Sequence, residues 1–148
     1  MRLSSSDETK YPRTRRYLRE RLPTVVAYDQ LRNALKKFGY LGDSELAEVL
    51  SYGTTPTIEV VPMAVCGEFH GSFTDGTAMQ GVVWNWIQIS KKIVTRYEAQ
   101  PTGRNAQAIG ITVLHELAHW GAQRAGRSSL VEDGEEFEKA AYGAILPC

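Results

Sequence analysis

Apolar residues recur at helical spacing through the first third of the chain, at strand-like spacing in the middle, and almost continuously near position 110. Tyr17, Leu18 and Leu22, followed by Val25, Tyr28, Leu31, Leu35 and Phe38, predict helices over 13–22 and 26–38 with Pro23 between them. Gly39 and Gly42 stop the second helix, and Asp43 or Ser44 caps a third that ends near Leu50. Residues 1–12 are mostly polar and read as a flexible tail. From Gly53 the pattern changes. Thr57 to Val65 is rich in β-branched residues, and Pro62 within it argues for an edge strand or a bulge. Gly67 to Thr74 predicts an irregular hairpin and Trp84 to Ile89 a further strand.

Ser90 then caps a helix to about Glu98, with Ile93, Val94 and Tyr97 facing inward, and Pro101-Thr102-Gly103 breaks it. From Asn105 to Ala125 the pattern is helical and apolar on most sides, which places that helix inside a domain. A last helix over 135–146 offers Phe137, Ala140, Ala141 and Ile145 for packing. The order predicts an α+β fold of N-terminal helices, a small mixed sheet, a buried helix and a closing C-terminal helix. One domain over 13–148 is expected, with a helical cap at 13–50 and a core at 57–146.

Composition narrows the functional classes. The 148 residues suffice for one domain with a sizeable core. Seventeen basic residues balance seventeen acidic ones, so no overall field draws the chain to nucleic acid or an anionic membrane. Arg13, Arg15, Arg16, Arg19 and Arg21 cluster near the start and read as a solvated helix face. No apolar run approaches the roughly 20 residues that span a bilayer, and the first residues hold no apolar signal-peptide segment. Synthesis in the cytoplasm without a cleaved leader is expected, and any export would need a specialised secretion system. Cys66 and Cys148 form no CxxC pair, which excludes a thiolate zinc site or a redox pair and leaves their pairing open.

The chemistry concentrates in His115-Glu116-Leu117-Ala118-His119. Four residues apart on a helix, the two imidazoles stack on one face and can reach a single Zn²⁺ at about 2.0–2.1 Å. Glu116 lies about 100° round the helix, where it can take a proton from a water that the metal activates and pass it to a leaving amine. A longer motif with a third histidine fails, because Ala122 and Ala125 stand where Gly and His are required. The third ligand is therefore sought among carboxylates on the last helix. Glu138 is favoured, Glu135 comes next, then Asp133 or Glu132, with His70 as the imidazole alternative. Tyr142, one turn beyond Glu138, and His70 are candidates to steady an oxyanion. Trp84 and Trp86 read as sheet packing.

His115-Glu116-Leu117-Ala118-His119-Trp120 resembles the metal-binding helix of the zincin metallopeptidases. The carboxylate-bearing helix downstream is similar to that of the glutamate-ligand branch, the gluzincins. Phe137 to Gly143 resembles the Tyr-Gly ending of the aspartate-ligand branch without its aspartate. Over residues 57–146 the chain is most similar to compact metallopeptidase toxin domains of bacterial polymorphic toxins and type VI secretion effectors. The resemblance implies a zincin-like fold, one Zn²⁺ per chain, a peptide or protein substrate laid antiparallel on an edge strand, and an immunity protein as partner. The expected function is a zinc metalloendopeptidase acting as a secreted antibacterial effector. A zinc amidase acting on cell-wall peptides and a non-enzymatic zinc-stabilised module are the alternatives. Glu116 weighs against the last, since a structural zinc site has no use for a neighbouring base.

Overall fold

A computed structural model describes residues 1–68, 85–127 and 132–147. The architecture is α+β, as the pattern predicts. In chain order, β1 (Arg2–Leu3), α1 (Ser5–Lys10), α2 (Pro12–Glu20), a 3-10 turn (Leu22–Ala27), α3 (Asp29–Phe38) and α4 (Asp43–Leu50) precede β2 (Thr57–Val61), β3 (Gly67–Glu68) and β4 (Trp86–Ser90). Then come α5 (Lys91–Ala99), α6 (Gly103–Arg124) and α7 (Asp133–Tyr142).

The sheet runs in the order β1-β2-β4-β3, with β1, β2 and β4 parallel and β3 antiparallel to β4. It is the small mixed sheet expected. Pro62 marks neither an edge nor a bulge: β2 is an inner strand that stops at Val61, so the missing N–H of Pro62 falls just outside the ladder. Ile58, Ile87 and Ile89 are fully buried on the inner face. Of the hairpin expected at 67–74, β3 is its start, and residues 69–74 lie outside the described residues, as does Trp84.

The first dozen residues are no tail. Arg2 and Leu3 pair in parallel with Thr57 and Ile58, and Met1 and Leu3 are buried in the core. The Met1 amine donates to the carbonyls of Val49 and Ser51 at 2.5 and 2.9 Å. The polarity of this segment was misleading because a two-residue parallel strand needs only one inward side chain, here Leu3. The N-terminal helices are also tied to the rest: Thr14 donates through its backbone N–H and its hydroxyl to the Glu98 carboxylate at the end of α5, at 2.7 and 2.8 Å.

Ser90 caps α5 as expected, its hydroxyl accepting from the N–H of Lys92. Thr102 does the same for α6 by accepting from Asn105. Helix α6 is the centre of the molecule. Ile109, Val113, Leu117 and Trp120 follow one another along it and are fully buried, and α3, α5, α7, β3 and β4 all pack against it. Helix α7 starts two residues earlier than expected and stops four earlier, because Gly143 adopts φ 82° and turns the chain out of the helix. No helix of the described residues is long and apolar enough to cross a membrane.

Candidate active site

Helix α6 carries His115, Glu116 and His119 in its second half, and the start of α7 lies across them. The Nε2 atoms of His115 and His119 are 3.3 Å apart. Two donors each about 2.0–2.1 Å from a tetrahedral ion stand about 3.3–3.4 Å apart, so the two rings are already at the spacing that shared coordination requires. The ring planes cross at 63° with centroids 5.0 Å apart, so the imidazoles converge rather than stack.

Glu138, on α7, fixes the outer ring nitrogen of this pair. Its Oε1 lies 2.6 Å from Nδ1 of His115, and its Oε2 accepts the backbone N–H of Leu146 at 2.6 Å. A carboxylate on Nδ1 holds the proton there, leaves Nε2 with a lone pair and sets the ring's direction. Glu138 is buried, which strengthens that contact. At the near end of α7, Glu132 is exposed and places Oε2 3.8 Å from Nε2 of His119. Among the described residues, no group of three or more His, Cys, Asp or Glu is gathered into a cation cage. The spacing of the two Nε2 atoms fits a divalent metal, with no third His, Cys, Asp or Glu of the described residues gathered beside them.

The other carboxylates are placed elsewhere. Glu135 and Glu136 both reach Lys139, at 3.7 and 2.8 Å, on the outside of α7. Asp133 is buried at the first position of the helix, and burial raises its pKa. Burial, with His115 alongside, lowers the pKa of His119 to about 4, so this ring is neutral and able to donate a lone pair at ordinary pH.

His115, Glu116 and Glu138 line one cavity of about 230 Å³ together with Cys66, Gly67, Ile145 and Leu146. Glu116 is buried beneath β3. A Cβ on Gly67 would lie 2.7 Å from its Oε1, so the edge strand passes directly over this carboxylate. Gly134 serves the same purpose opposite: a Cβ there would lie 2.3 Å from Nε2 of His115. Glycine in a helical first turn costs stability, and here it lets the α7 backbone rest against the ring.

Tyr142 and Trp86 are placed differently from the expectation. Tyr142 does not line the cavity of His115 and Glu116; it lines a second cavity with Tyr17 and Tyr97, and burial raises its pKa. His70 lies outside the described residues. Trp86 is 43% exposed rather than packed away. Cys66 is disulfide-bonded, and the sequence holds one other cysteine, Cys148, outside the described residues. Sequence reasoning did not anticipate the Gly134 contact, although a glycine between Asp133 and Glu135 at a helix start was a usable signal. The contact from Leu146 to Glu138 left no mark in the sequence pattern.

A buried helix presenting two convergent imidazoles, with a carboxylate beside them and another behind, has the donor set of a metal-dependent hydrolase. The family comparison gives that class its name. The chain belongs to the metallopeptidase toxin 3 family, whose model matches residues 7–143 and so takes in α2, α3 and α4 as well as the site. The N-terminal helices, which the sequence resemblance had left out, are part of the family unit. No curated protein and no solved structure matches the chain.

Proposed function

We propose that this chain is a zinc-dependent endopeptidase that works as an exported antibacterial toxin, with His115 and His119 as metal ligands and Glu116 as general base. The observation that carries the reading is the 3.3 Å approach of the two Nε2 atoms on a helix whose next carboxylate, Glu116, lines the same cavity as His115. A zinc ion held there would polarise a scissile carbonyl and acidify a water molecule.

The protein groups divide the remaining work. Glu138, expected from the sequence as third ligand, has both oxygens engaged, and its contact with Nδ1 gives it the task of orienting His115. Glu132, nearest to Nε2 of His119, is then the carboxylate best placed to approach the metal side. Glu116, buried against β3, takes the proton from the attacking water and delivers it to the leaving nitrogen. A substrate backbone added to the edge strand β3 would pass over Glu116, since Gly67 already lies against its side chain. His70 remains the candidate for the oxyanion, and an immunity protein that shields the producing cell belongs to the same reading.

The test uses an unfolded protein substrate. Chelation should abolish cleavage and zinc should restore it, while Glu116→Gln should lower turnover by about 10²–10⁴-fold without loss of zinc. Undiminished cleavage by Glu116→Gln would remove the mechanism. Cleavage of cell-wall peptides but no protein would move the chain to the amidase alternative.

A further inference from the structure

A second cavity, of about 640 Å³, opens beside the catalytic one and has no part in the chemistry above. Its floor is apolar: Val25, Leu31, Ala106, Ile111 and Leu114 line it. Its walls carry the rings of Tyr17, Tyr28, Tyr97 and Tyr142, and Arg21 stands at the rim, exposed to solvent. The two cavities are neighbours. Ile111 lines both, Leu114 directly precedes His115, and Tyr142 follows Glu138 by one turn of α7. A volume of this order accommodates a drug-sized ligand, or two to three residues of a peptide, rather than a single side chain.

The chemistry of the lining selects among peptides. Aromatic walls over an apolar floor favour a large apolar or aromatic side chain, which would bury most of its surface there. A guanidinium at the rim favours a carboxylate close by, and Arg21 forms no ion pair among the described residues. Among the described residues lining the cavity, Arg21 is the one charged side chain, so the charge within its wall is positive.

We infer that the tyrosine-lined cavity is a substrate-binding subsite that takes a short peptide stretch in which a large apolar residue adjoins an acidic one, the acidic group answering Arg21. This rests on the peptidase reading for its substrate class, but binding at the subsite requires neither metal nor turnover. It makes Arg21 and the four tyrosines determinants of specificity, and it gives the 3-10 turn and α3 a role in selection.

The test titrates the metal-free chain with an acetylated phenylalanyl-glutamyl amide and with its phenylalanyl-glutaminyl counterpart, following methyl resonances of Ile111 and Leu114. The glutamyl peptide should bind about three- to five-fold more tightly than the glutaminyl one, the size expected of an exposed ion pair. Arg21→Glu, at an exposed position, should reverse that preference. Gln107→Trp, also exposed and on the cavity wall, should fill the space and abolish binding of both peptides while leaving the thermal transition unchanged. Equal affinity for the two peptides in the parent chain, or binding that survives Gln107→Trp, would overturn the assignment, as would the absence of any shift at Ile111 and Leu114 at about 10 mM peptide, beyond the weak-binding range. Because metal-free protein is used, undiminished cleavage by Glu116→Gln, which would sink the peptidase mechanism, leaves these outcomes untouched, and the two readings fail separately.

Discussion

Glu138 and His115, 23 positions apart in sequence and on two different helices, meet at 2.6 Å, oxygen to Nδ1. The contact decides which nitrogen of His115 is available. With Nδ1 committed to a carboxylate, Nε2 is left to face Nε2 of His119.

Loss of that carboxylate should loosen the metal without removing its ligands. Glu138→Gln keeps the size of the side chain but gives up the charge, and zinc affinity should fall by about 10–100-fold, the usual effect of removing an outer partner of a ligating histidine. Competition against a chromophoric chelator measures it. Affinity lost altogether would instead place Glu138 on the metal.

Glu132 gives the complementary case. Its side chain is 70% exposed and, among the described residues, its one ion-pair approach is the 3.8 Å to His119, so Glu132→Gln should leave the metal-free thermal transition within about 0.5 kcal/mol. Zinc affinity should nonetheless drop. If it does not move, the carboxylate has no part in holding the ion.

Gly134→Ala places a methyl group where the His115 ring now sits. One of the two must shift, and overpacking of this kind costs about 1–3 kcal/mol. The expected result is a lower unfolding midpoint in denaturant together with weaker zinc binding. A stabilised variant, as Gly→Ala gives at an open helical position, would show that the ring has room to move.

Tyr17 sets an alkaline limit. Burial, with Tyr97 alongside, raises its pKa to about 12, whereas in the unfolded chain the phenol ionises near its ordinary value of 10. The folded state thus holds its proton where the unfolded state has lost it. The stability this confers is complete below pH 10 and is lost as pH rises from 10 towards 12. Denaturant unfolding across that range should show the decline, and Tyr17→Phe should flatten it. An equal decline in the variant would assign it to other groups.

The sequence was most readable where one physical requirement dominated. Apolar residues stand on most sides of α6, and that placed it in the interior, where Ile109, Val113, Leu117 and Trp120 are fully buried; the histidines four residues apart then put both rings on one face. Capping by Ser90 was likewise legible, because an N-terminal hydroxyl has one obvious partner. Contacts between distant segments were not. Nothing in residues 1–3 announces a parallel strand, since its partner lies beyond position 56 and only Leu3 and Met1 contribute apolar surface. Helical spacing put Glu138 and Tyr142 on one face and so suggested a shared cavity. A turn of helix is also about 5.4 Å of rise, enough to carry Tyr142 past Ile111 into the neighbouring space. The role of Glu138 depended on which nitrogen it would meet, and spacing carries no information on that.

Whether the two imidazoles hold one zinc ion is decided by zinc content per chain, measured after dialysis for the parent protein, His115→Asn and His119→Asn. One zinc per parent chain and close to none in either variant is expected, with all three retaining the same circular dichroism spectrum. Full zinc occupancy in both variants, or a parent chain that takes up no zinc at all, would contradict that expectation.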